Sequence, residues 1–177
     1  MKRGFSVRAI TYCGLFAAGM ALCAWLYIPF GPIGFTLQTF ALFLALFTLG
    51  GKWGSAAFFV YLLMGAVGLP VFSGFRGGMG VLFGATGGYI WGLALAGPVY
   101  WFLTRLFGPK AAIPSAFLGI LLCYLLGTLW FFAMYSENSG LWAVLLNCVV
   151  PYILPDVVKI FLAYTLSKRL RAVIEKT

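Results

Sequence analysis

Apolar stretches long enough to cross a lipid bilayer recur from one end of this 177-residue chain to the other. A spanning helix needs about 20 mostly apolar residues. Six segments reach or approach that length: 8–28, 36–50, 53–69, 84–106, 111–134 and 141–167. Charged residues make up 8% of the chain, against roughly 25% in an ordinary soluble domain. A membrane barrel would alternate apolar and polar positions over strands of about 10 residues, unlike these continuous runs. The expected fold is an all-α polytopic membrane protein, a single six-helix integral membrane domain over residues 1–177. The second and third segments are short and separated only by Gly50-Gly51-Lys52-Trp53-Gly54. They fit one tight helical hairpin whose second member ends at Pro70. The basic start, Lys2-Arg3, resembles the first region of a signal peptide. The span behind it is about full length and has no convincing cleavage site, so it is read as a mature helix.

Basic residues set the orientation. With both termini in the cytosol, the inner face receives Lys2, Arg3, Arg8, Lys52, Arg105, Lys110, Lys168, Arg169, Arg171 and Lys176, ten of the twelve in the chain. Arg76 alone falls in an outer loop, and Lys159 lies within a span. An excess of Lys and Arg marks the cytosolic side, so six spans with both ends inside satisfy the rule. The same distribution explains the net charge of +9. It points to anionic inner-leaflet lipid or a cytosolic partner, not to nucleic acid.

The residues that are missing exclude much chemistry. There is no histidine, so the commonest metal ligand and proton carrier near neutral pH is absent. The only acids are Glu137, Asp156 and Glu175. Cys13, Cys23, Cys123 and Cys148 lie scattered in apolar runs with no Cys-x-x-Cys, and read as reduced, buried side chains. A metal-dependent or proton-relay enzyme is not expected, and no catalytic or metal-binding residue is assigned.

Asp156 and Lys159 stand out within the last span, in Pro151-Tyr152-Ile153-Leu154-Pro155-Asp156-Val157-Val158-Lys159. Each charge costs at least ~2.5–3.5 kcal/mol in hydrocarbon even on lenient insertion scales. Three residues apart, they share a helical face and can pair. Desolvation often cancels the attraction of a buried pair. Two readings stand: the pair grips a polar ligand, or it staples helices together. Two outer connections also admit two readings, as caps over an outward pocket or as ordinary turns. They are residues 29–39 and the glycine-rich 69–80, which carries Arg76. Small residues recur at Gly84, Gly88, Gly92 and Ala96, a smooth face suited to close helix packing. The first span has two such tracks, Gly14/Ala18 and Ala17/Ala21, which fit either internal packing or another subunit.

Five short motifs occur in order. They are Phe35-Thr36-Leu37-Gln38-Thr39-Phe40, Gly68-Leu69-Pro70-Val71-Phe72, Thr86-Gly87-Gly88-Tyr89 followed by Gly92, Leu126-Gly127-Thr128-Leu129-Trp130, and Pro151 with Asp156-Val157-Val158-Lys159. Together they resemble the BioY family, the biotin-binding substrate components (S components) of energy-coupling-factor (ECF) vitamin transporters. Two departures are visible. Ala85 stands where the family usually has proline, and Leu154-Pro155 replaces a Pro-Gly before the aspartate. The second shifts the expected helix break by about one residue.

The resemblance implies an S-component-like bundle in a prokaryotic inner or plasma membrane. It implies capture of biotin from outside and delivery inward with a transmembrane coupling subunit and two cytosolic ATPases. Consistent with that, the chain has no phosphate-binding Gly-x-x-x-x-Gly-Lys-Ser/Thr loop of its own, and no cofactor is expected. It also assigns Ala17 and Ala21 to the intersubunit contact. Biotin carries a ureido head with two N–H donors and a carbonyl, an apolar thioether ring, and a tail ending in a carboxylate. Asp156 is the candidate acceptor for the N–H groups, Lys159 a donor to the carbonyl, and Gln38 supplies both kinds of group. Phe35, Phe72, Tyr89 and Tyr152 are candidate walls. Arg76 is either the partner of the ligand carboxylate or a solvated loop charge. The alternatives are a stand-alone secondary transporter of a small polar-headed metabolite and a membrane-embedded enzyme.

Overall fold

The computed structural model describes residues 7–29, 33–135 and 140–176. Lys2, Arg3 and Glu137 lie outside the described residues, as do the side chains of Glu175 and Lys176. Helix α1 runs Val7–Trp25, followed by a two-stranded antiparallel ribbon, β1 (Tyr27–Ile28) and β2 (Phe35–Thr36). Helix α2 spans Gln38–Ala66, and a single turn, α3 (Met79–Leu82), precedes α4 (Gly87–Phe107). A 3-10 turn at Pro109–Ala111 leads into α5 (Ala112–Tyr135). The chain ends in α6 (Leu141–Cys148) and α7 (Val150–Lys176). Among the described residues, five helical stretches are long and apolar enough to cross a membrane.

The 29 residues of α2 are two helices, not one. Gly50 adopts φ 79°, ψ 166°, a left-handed conformation that glycine tolerates without penalty. Gln38 and Tyr61 would stand about 34 Å apart in a straight helix at 1.5 Å per residue. Instead the Gln38 amide donates to the Tyr61 hydroxyl at 3.1 Å. The second half therefore doubles back on the first, as a hairpin requires, and supplies the sixth rod of the bundle.

Helix α2 is the hub, packing on α1, α4 and α7, while the most extensive helix pair is α4 with α5. That pair depends on small residues. A Cβ at Gly92 would stand 2.6 Å from the Cα of Cys123, and one at Gly88 would stand 2.2 Å from the Cβ of Trp130. The expected ridge thus packs inside the chain. It begins at Gly88, because Gly84 lies in the turn before α4. Near the Gly50 turn, Phe47 makes edge-on contacts with Tyr100 and Tyr164, at centroid distances of 5.7 and 5.5 Å.

The last expected span is broken, but not beside Asp156, where the sequence suggests. The break falls at Val149, φ −123°, ψ −56°, between α6 and α7. Val150 opens α7 and Pro151 is its second residue, within the first helical turn where proline is tolerated. Pro151 has no N–H to return to the preceding turn. Pro155 lies inside α7 and does not end it.

Candidate functional site

A cavity of about 690 Å³ lies among α2, α4, α5 and α7, beneath the β-ribbon and the loop between α2 and α3. Its size falls within the 300–1,000 Å³ range of small-molecule sites. Its buried lining, the closed end, includes Leu93, Ile120, Asp156 and Lys159; its more exposed lining, the mouth, is Ser73, Arg76, Gly77 and Gly80.

The Asp156–Lys159 pair is formed. Lys159 Nζ donates to Asp156 Oδ1 at 2.8 Å, and both residues are only 5% exposed. The Tyr124 hydroxyl donates to Asp156 Oδ2 at 2.6 Å. A carboxylate offers roughly four acceptor positions, so these two bonds leave capacity on the side facing the cavity. Lys159 also sits over the Phe35 ring, 4.0 Å from its centroid, a favourable cation–π contact. That contact fixes the ammonium without using all three of its donors.

Around this centre, Gln38 is held by Tyr61. The Tyr89 hydroxyl lies 3.4 Å from Thr128 Oγ1, and Tyr152 completes the wall from α7. Asp156, Lys159, Gln38, Tyr89, Tyr152 and Arg76 therefore converge on one cavity. Phe35 and Phe72 do not line it. Phe72 is 1% exposed and packs edge-on to Tyr61, 5.5 Å between centroids, and across Gly65. Phe35 acts one layer back, through Lys159.

The mouth is bound by a tight loop. Gly78 N–H donates to the Gly65 carbonyl at 2.7 Å, and Phe72 N–H to the Arg76 carbonyl at 2.9 Å. Trp25 at the end of α1 donates from Nε1 to the Pro70 carbonyl at 2.7 Å and stacks on Phe75, 4.9 Å between rings. Phe75 has φ 57°, a left-handed conformation costly for a non-glycine residue. Arg76 is exposed, with its Nε donating to the Ser73 carbonyl at 3.1 Å.

Sequence reasoning missed Tyr124, Thr128, Cys123 and Cys148. Tyr124 and Thr128 lie four residues apart and so share one face of α5. Cys123 and Cys148 contribute to the cavity wall as well as to the packing expected of them. Ala17 and Ala21 need correction. They are 0% and 5% exposed, on the side of α1 that meets the chain's own core, and cannot face another subunit. The exposed side carries the other track, Gly14 and Ala18, with Thr11, Leu15 and Leu22.

A multi-pass helical membrane protein with a cavity of this size and a buried ion pair in its lining is built as a substrate-binding membrane protein. A sequence model of the BioY family matches residues 1–176. The biotin transporter BioY of Thermotoga maritima is 36% identical over 170 residues, covering 93% of this chain and 96% of that protein. The probable biotin transporter BioY of Pyrococcus horikoshii is 35% identical over 164 residues, with the same coverage of each. The crystal structure of the S-component for biotin from an ECF-type ABC transporter superposes with a TM-score of 0.83 at 25% identity, covering 97% of this chain and 95% of that one. The chain belongs to the BioY family.

Proposed function

We propose that this chain captures biotin from outside the cell and acts as the membrane substrate-binding subunit of an ECF-type vitamin transporter. The observation that carries this reading is the Asp156–Lys159 pair at the closed end of the cavity, with carboxylate acceptor capacity left over. The ureido N–H groups fill that capacity, and the Lys159 ammonium donates to the ureido carbonyl. Gln38 and Tyr89 flank the head, Tyr152 covers the thioether ring, and the tail runs toward Arg76. The biotin transporter of Thermotoga maritima and the biotin S-component that superposes on this chain both support biotin as the ligand.

The protein binds and delivers; it carries out no covalent step. Inward delivery is driven by a transmembrane coupling subunit and two cytosolic ATPases in the cell membrane of a prokaryote. The coupling subunit docks on the exposed Gly14/Ala18 face of α1. Mass spectrometry of small molecules released from the detergent-purified protein tests the ligand. Biotin should be recovered with it, and titration of stripped protein should then show tight binding. A purified, folded protein that neither carries nor binds biotin would refute the reading.

A further inference from the structure

We propose that the pocket also takes biotin whose tail carboxyl is joined by an amide to an amine, as in biotinyl-lysine. The inference rests on the biotin reading of the same site. All the buried polar anchors, Asp156 and Lys159 above all, sit at the closed end, where the ureido head lies. The mouth is built differently. Arg76 is exposed and its Nε is already turned back on the Ser73 carbonyl. A contact between exposed charges changes affinity by about fivefold at most, so exchanging the carboxylate for an amide forfeits little. The amide keeps a carbonyl for the Arg76 guanidinium and adds an N–H donor.

There is also room beyond the amide. A Cβ added at Gly80, which lines the cavity beside the mouth, would meet nothing within 4 Å. The lysine arm is four methylenes ending in an α-amino and a carboxylate group, and these charged ends stay in water. Among the described residues, no buried cation stands at the mouth to demand a free carboxyl.

Isothermal titration of the full detergent-solubilised chain with biotin and with biotinyl-lysine tests this. The conjugate should bind within about tenfold of biotin. If biotin binds tightly and the conjugate is weaker by more than that, the inference is overturned. If neither binds, the biotin reading itself has failed and takes this one with it. Gly80→Trp supplies a second arm by filling the mouth. It should weaken the conjugate at least about tenfold more than biotin. An equal effect on both ligands overturns passage of the amide arm through this mouth.

Discussion

Asp156 binds two donors of its own chain and faces a cavity with the rest of its acceptor capacity, which makes it the most testable residue of the site. Asp156→Asn keeps the shape and removes the charge. Loss of a charge-assisted bond should weaken biotin binding by about 1.5–3 kcal/mol, read by calorimetry on folded protein. Unchanged affinity would remove Asp156 from the site. Lys159→Ala should weaken binding as well, because it leaves a buried carboxylate with a single partner. A drop in thermal stability alone, with affinity intact, would make the pair structural, holding Asp156 in place for its bond to Tyr124 of α5. Tyr124→Phe deletes the 2.6 Å bond and should lower affinity about tenfold while the chain still folds. Asp156 and Lys159 were legible because ionisable groups in a span are expensive. Tyr124 was not, because its ring reads as apolar and only its fold neighbours expose the role of the hydroxyl.

Helices were legible in number and extent because hydropathy is a long-range average, and the Gly50-Gly51 hairpin because two short spans flank it. What hydropathy does not encode is which side of a helix faces inward. On α1 the Gly14/Ala18 and Ala17/Ala21 tracks have the same spacing, and only packing on α2 separates them. The break at Val149 was misplaced for a related reason: two prolines four residues apart compete, and the first interrupts the helix. Close packing makes a sharp prediction at α4. A branched side chain at Gly92 collides with the backbone of α5, so Gly92→Val should cost about 1–3 kcal/mol of stability. Thermal unfolding in detergent would show it, and an unshifted transition would deny the close approach. At the mouth, Trp25 pins the loop by both a hydrogen bond and a ring stack. Trp25→Ala should speed biotin dissociation several-fold in a filter assay; an unaltered off-rate would mean the loop does not govern exit.

Across the whole molecule, the cavity lies beneath the β-ribbon and the loop between α2 and α3, while Phe47 packs edge-on against Tyr100 and Tyr164 elsewhere in the bundle. On the proposed reading, delivery inward calls for a second body, and the exposed Gly14/Ala18 strip on α1 is where we propose that it docks. Small residues let two helix backbones approach and gain dispersion contacts in lipid, where burial of apolar surface gives no advantage. Gly14 has open space where its Cβ would be, so Gly14→Trp adds bulk outside the fold without disturbing the pocket. Ala18→Trp does the same one turn further along the exposed side. Both variants should bind biotin as tightly as the parent in calorimetry, yet lose co-purification with the coupling subunit and most biotin uptake in cells. Ala17→Trp makes the contrast, since it drives an indole into a position with 0% exposure and should cost stability instead. Full uptake by the Gly14 and Ala18 variants would move the docking surface to another face of the bundle.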